Sequence, residues 1–167
     1  MQNGVEHEFK QDATTSIWAW PGVTSKEYKG LNPGRRIQFI NENFETATTM
    51  FNDVLQYESP RIFVRNIDVN YGKEALVYSV QGVSSDFQFI EGPKMREGRF
   101  INYQDEVSVG KVAIIGNKIK KDVFANVESP VGEFIDISGI PFKIVGVFGE
   151  MRDREEERIY IAITTAQ

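Results

Sequence analysis

The chain has 167 residues, of which 41% are hydrophobic and 26% charged, with a formal net charge of -5. That length suits one domain or two small lobes and can bury roughly 70% of the unfolded chain's surface. The acidic balance argues against a nucleic-acid binder, which needs a clear Lys/Arg excess. The absence of cysteine removes disulfides, thiolate catalysis and Cys-based zinc sites.

Taken in order, Met1–Asp12 is polar flanking sequence with no apolar signal core after it. It holds His7, the only histidine, which has no partner at metal-ligand spacing and leaves His-based catalysis without material. Thr14–Trp20 is predicted as a strand from its Thr, Ile and Trp content, stopped by Pro21-Gly22. After a loop carrying Gly30 and the Asn32-Pro33-Gly34 turn, Arg36–Ile40 is at best a short strand. Asn41 is placed as the N-cap of a helix over Asn41–Tyr57. Its residues Phe44, Ala47, Phe51, Val54 and Leu55 recur at helical spacing and predict one buried face.

Alternation then predicts a hairpin over Arg61–Gln81, turned at Gly72-Lys73-Glu74. Ser84 is placed as the cap of a short helix, Ser85–Glu91, ended by Gly92-Pro93. A strand is expected to be entered through Glu97-Gly98-Arg99-Phe100. Val112–Ile115 reads as a buried strand, and Asn117 starts a helix with Ile119, Val123 and Phe124 on one side. Lys118, Lys120 and Lys121 on its other side are expected to form a solvated face. Glu133–Ile137 and Phe142–Val147 are two strands joined through Gly139-Ile140-Pro141. Met151–Arg158 is a mixed charge run expected in an exposed loop or turn, and Arg158–Thr164 a last strand. The hairpins from Arg61 onward form a β-rich lobe, and the first strand and long helix belong to another. The fold class is α+β and two-lobed, a strand–helix N-terminal lobe plus a β-rich inserted lobe with short helices.

Chemistry is sparse in this inventory. No apolar run approaches the roughly 20 residues of a membrane span. The glycines around Lys111 and Lys118 lack the order of a phosphate-binding loop, and Gly146-x-x-Gly149 lacks the frame of a dinucleotide site. Asp105, Glu106 and the acids of 153–157 could in principle serve acid–base or calcium chemistry, but follow no ion-binding pattern. Arg99, close in sequence to Asp105, is expected to form an Arg–carboxylate pair that pins a strand to a loop, with a partner-binding role as the alternative. No catalytic residue, cofactor-binding residue or metal ligand is assigned.

An ordered set of residues carries a resemblance. It runs Gly82-Val83, Gly98-Arg99-Phe100, Asp105, then Val112-Ala113-Ile114-Ile115-Gly116, Phe124, Pro130-Val131-Gly132 with Ile135 and Ile137, and Pro141 to Val147 including Gly146. Gly34 to Ile37, Ile159-Tyr160-Ile161 and Thr164 to Gln167 add to it. From about Thr14 to the end, the chain resembles the MacB-like periplasmic core domain of macrolide-exporter-type and lipoprotein-releasing ABC transporter permeases. Gly82, Gly98, Arg99, Asp105, Gly116, Gly132 and Gly146 are the structural signature positions of that resemblance. Ala162 departs from it, standing where the family usually has proline. The family domain also normally continues beyond the point matching Gln167 and returns to the first lobe, so that lobe is expected to be incomplete here.

The resemblance implies a porter-like N-terminal lobe over 1–66. It implies a sabre-like, β-rich lobe with the start of the return over 67–167. It implies a periplasmic segment of an inner-membrane permease, without enzymatic activity or cofactor, that transmits ATP-driven motion for export or lipoprotein release. The implied partners are the permease's own membrane helices, a cytoplasmic ATPase, and a periplasmic adaptor or substrate protein, with no nucleic acid. The isolated domain is expected as a monomer and the full transporter as a dimer. Two alternatives stay open. One is a stand-alone periplasmic ligand-binding protein with a pocket using Trp18, Trp20 and Tyr28. The other is a hydrolase using Asp105 or the late acids.

Overall fold

The computed structural model describes residues 16–149 and 155–166. The chain divides into two compact units, Met1–Gln56 and Tyr57–Gln167. The division falls ahead of the expected boundary after residue 66, which lies inside one continuous strand, Arg61–Tyr71.

In the first unit the described residues form one helix, α1 (Asn41–Phe51), and a looped segment closed by bridges between Val23 and Arg36 and between Tyr28 and Leu31. The strand expected over Thr14–Trp20 does not form in its described part, Ser16–Trp20, and Arg36–Ile40 contributes only the bridge at Arg36. In α1 the N-cap is Ile40 and not Asn41; Asn43 Oδ1 accepts from the Ile40 N–H at 3.1 Å. The helix ends at Phe51, short of Tyr57, and buries no side chain. Of the expected buried face, Phe44 is half-buried but Phe51 and Val54 are 52% and 78% accessible, so that face is largely exposed.

The second unit is a mixed sheet. Its strands are β1 (Arg61–Tyr71), β2 (Glu74–Val83), β3 (Lys94–Gly98), β4 (Val112–Gly116), β5 (Phe134–Ile137), β6 (Ile140–Gly149) and β7 (Arg158–Ala162). The spatial order is β3-β6-β4-β7-β2-β1-β5, and β5 also pairs with β6, so the ladder closes on itself. Closure depends on two features. The tight turn at Ser138-Gly139 folds β5 back on β6, with Ile137 opposite Ile140. The long β1 reaches β5 with its far end, where Val69 faces Ile137. A bulge between Val64 and Ile67, with Asn66 at φ 57°, bends β1 on the way. The crossovers include two parallel pairs, β2 with β7 and β4 with β6.

Short helices fill the connections: α2 (Phe87–Ile90), α3 (Tyr103–Val107), α4 (Asn117–Val123) and α5 (Ile163–Ala166). Alternating residues of β4 and β7 feed two cores. Ala113, Ile115, Ile159 and Ile161 join one cluster, which Ile119, Val123 and Phe124 complete from α4 and the residue after it. Ile114, Tyr160 and Ala162 join a second with Phe87, Phe100, Ile101 and Phe148. Strands buried on both faces read as unbroken apolar runs, as Val112–Ile115 does.

Four expectations need correction here. Gly98 ends β3, and Arg99–Ile101 leaves the sheet. Asp86, not Ser84, precedes α2, while Ser84 Oγ donates to Glu58 O at 3.1 Å. The last strand stops at Ala162 and continues as α5. Within Met151–Arg158 the described turn buries Glu156 to 8% accessibility instead of leaving it on the surface.

Candidate functional site

The signature positions fall in several places. Gly98, Arg99, Asp105 and Gly146 come together at one joint. Gly98 lies opposite Gly146 in the β3–β6 ladder, and the Arg99 N–H donates to Val145 O at 2.9 Å. Gly98 has φ 67°, and a Cβ there would collide with the Val145 carbonyl; only glycine takes that turn at that approach. The Arg99 side chain then grips Asp105 with two parallel bonds, Nη1–Oδ2 at 2.6 Å and Nη2–Oδ1 at 3.0 Å. The expected Arg–carboxylate pair is thus present, and it ties the end of β3 to α3. Asp105 also accepts from the Asn102 N–H at 2.9 Å, and Asn102 Oδ1 accepts from the Asp105 N–H at 2.9 Å, a reciprocal cap. Burial pushes the Asp105 carboxyl up, but Arg99 and the Asn102 N–H outweigh it and hold the group below its usual range.

The other positions lie elsewhere. Gly116, at the end of β4, meets the backbone of Glu156 so closely that any side chain would strike its carbonyl. Gly82 packs under Ala166 of α5. Gly132, in the turn before β5, faces open space and donates to Ile144 O at 2.8 Å.

The acids considered for catalysis are engaged or apart. Asp105 is held by Arg99, Glu106 accepts from the Ser85 N–H at 2.7 Å, and Glu157 pairs with Lys118 at 3.1 Å. Among the described residues no group of three or more His, Asp or Glu side chains could hold a metal ion. His7, Asp153 and the other residues of 150–154 lie outside the described residues. The lysine face is not simply solvated: Lys118 bridges Asp122 and Glu157, and Lys120 pairs with Glu97. That contact and a 2.7 Å bond from Ser129 Oγ lower the Glu97 pKa against the effect of burial. Trp18 and Trp20 stack on each other, and Trp20 and Tyr28 are each 64% exposed. The hollow beside them is lined by Pro21, Gly22, Val23, Arg36 and Ile37 and includes none of the three.

One polar cluster escaped the sequence reading. Arg61 is pinned between Glu91 (Nη1–Oε1, 2.6 Å) and Gln81 Oε1 (3.1 Å from Nε and 2.9 Å from Nη2), and lies 4.7 Å from the ring centroids of both Phe63 and Phe87. Beside it, the sheet face of β1, β2 and β7 holds a depression of about 280 Å³ lined by Phe63, Arg65, Val77, Ser79, Gln81 and Arg158, among others. The alternation Arg61-x-Phe63-x-Arg65 on one strand face was the available signal.

A closed mixed sheet with short helices, accompanied by a separate helix-bearing unit, is a two-unit α+β domain. The chain belongs to the MacB-like periplasmic core domain family, which it matches over residues 1–167. It is 32% identical over 82 residues to the pyoverdine export ATP-binding/permease protein PvdT of Pseudomonas fluorescens, covering 49% of this chain and 12% of that protein. It is 28% identical over 104 residues to the macrolide export ATP-binding/permease protein MacB of Vibrio parahaemolyticus, covering 60% of this chain and 16% of the relative. In three dimensions it is similar to the periplasmic region of MacB from Actinobacillus actinomycetemcomitans, with a TM-score of 0.64 and 22% identity over 86% of this chain and 64% of that one. It is also similar to the extracellular domain of the ABC-type transporter YknZ from Gram-positive bacteria, with a TM-score of 0.65 and 19% identity over 75% of this chain and 63% of the other. At those identities the structural likeness speaks for the fold. The chain spans a small part, 12% and 16%, of these two curated relatives.

Proposed function

We propose that this chain is the extracytoplasmic domain of an ABC transporter permease and acts mechanically, without catalysis, between membrane helices and a cytoplasmic ATPase on one side and an extracytoplasmic partner or substrate on the other. The family match over residues 1–167 carries this reading. The names of the relatives, export ATP-binding/permease proteins, give it direction. In this reading the first unit is the porter-like lobe and the closed sheet the sabre-like lobe. Close packing supports the reading: at Gly98 and Gly116 backbone packs directly on backbone, and close-packed interiors transmit displacement.

A coupling assay on the full-length permease tests the proposal. Asp105→Asn loosens the joint between β3 and α3 without touching any ATP-binding part. The expected result is reduced transport with ATP hydrolysis retained. Unchanged transport in a variant shown to be locally loosened would contradict a transmitting role.

A further inference from the structure

The depression on the outer face of β1, β2 and β7 has a chemical character of its own. Arg65 and Arg158 line it, and among the described residues neither is in an ion pair. Glu157 also lines it and turns its carboxylate to Lys118 at 3.1 Å, a cation it shares with Asp122. Gln81 is 3% exposed, and Arg61 takes its side-chain oxygen through two bonds. That fixes the amide orientation, so the Gln81 Nε2 hydrogens are the donors left for the cavity. Ser79 adds a hydroxyl beside it. Two apolar side chains also line it: Phe63, 42% exposed, and Val77, 57% exposed. The Tyr160 hydroxyl on the same strand as Arg158 is buried without a hydrogen-bond partner among the described residues; burial and then Glu91 raise its pKa, and Arg158 opposes the rise.

We infer that this depression is a binding site for a small organic carboxylate bearing a flat apolar group. Two guanidinium groups without acidic partners and an oriented amide suit a carboxylate, for which Arg offers paired donors in a planar fork. Phe63 and Val77 suit the apolar part. The volume of about 280 Å³ lies just under the range of drug-sized ligand cavities and so suits a small ligand, and the bulge at Asn66, φ 57°, bends β1 just beside Arg65. The inference does not rest on the transporter reading: binding could fail with that reading intact, and the reverse.

The test is a titration of the isotope-labelled 167-residue chain with phenylpropionate and with its neutral analogue phenylpropionamide, followed by amide chemical shifts. The expected result is a saturable response centred on Arg65, Ser79, Gln81 and Arg158 with phenylpropionate, and a much weaker one with phenylpropionamide. Arg65→Ala is expected to weaken binding by about tenfold or more, with shifts elsewhere in the sheet unchanged. Because Arg65 is exposed and unpaired, that variant keeps the test valid if Arg158→Ala fails to fold. No saturable response, equal response to the amide, or undiminished binding in Arg65→Ala would each overturn the proposal. So would a response at these residues to an acidic peptide and not to phenylpropionate, which would assign the face to a protein partner.

Discussion

Arg99 and Asp105 face each other fork to fork, at 2.6 and 3.0 Å, and so hold the end of β3 against the start of α3. Asp105 is buried while the Arg99 side chain is 46% exposed, so solvent screens part of the attraction. Asp105→Asn is expected to cost about 1–2 kcal/mol in urea unfolding, with the Asn102 cap disturbed as well. The pH dependence has a definite sign. Arg99 and Asn102 hold the folded-state pKa of Asp105 down, so its contribution is complete above the unfolded value of about 3.9. It is lost as pH falls below that value through the folded one. Melting curves on the acid side should converge for wild type and Asp105→Asn, and parallel curves would contradict the assignment.

Gly98 and Gly139 both have positive φ, 67° and 82°, but only Gly98 meets neighbouring backbone where a Cβ would sit. Gly98→Ala should therefore lower stability by about 3 kcal/mol or more, strain and collision together. Gly139→Ala should cost only the conformational part, about 1–2 kcal/mol. Chemical denaturation of the two variants measures the difference, and equal losses would show that the joint at Val145 can yield.

Arg61 and Glu91 form a pair at 2.6 Å with side chains only 11% and 17% accessible. Removing one member strands a desolvated charge, so Arg61→Ala should destabilise by about 3 kcal/mol or more. Replacing both with apolar residues should cost clearly less than the sum of the single changes, which a double-mutant cycle in denaturant will report.

Tyr78 ionises late. Burial, and then the Asp122 carboxylate beside it, push its hydroxyl up to about 12. The folded value lies above the ordinary one near 10, so its contribution is complete below about pH 10 and is lost as pH rises through the folded value. Alkaline titration by near-ultraviolet tyrosinate absorbance should lose one late-ionising group in Tyr78→Phe while those of Tyr71 and Tyr160, also raised, remain, and the variant should soften the alkaline loss of stability. An unchanged titration in Tyr78→Phe would contradict the assignment.

Much of the second unit was legible because its signals are local. Alternation in Arg61–Gln81, the apolar run Val112–Ile115 and the turn after Ile137 each depend on neighbouring residues, and all form as strands or turns. The Arg99–Asp105 pair was also readable, being six residues apart. The closure of the sheet was not, because β1 with β5 and β2 with β7 join residues far apart in sequence, and periodicity does not name a partner. In the first unit the same local rules failed. Ser16–Trp20 has strand composition but takes no strand conformation, and α1 has an amphipathic stripe yet no buried residue. The Arg61 cluster was missed because Glu91 and Gln81 reach it only through the folded hairpin and α2.

The central claim, that this domain stands outside the cytoplasmic membrane as part of a permease, is open to one direct measurement. The segment has no cysteine, and Lys73 lies in the exposed β1–β2 turn. Lys73→Cys in the full-length protein, cleared of other thiols, gives a single reporter for a membrane-impermeant maleimide. The account predicts labelling in cells whose inner membrane is intact; labelling only after that membrane is broken would contradict it.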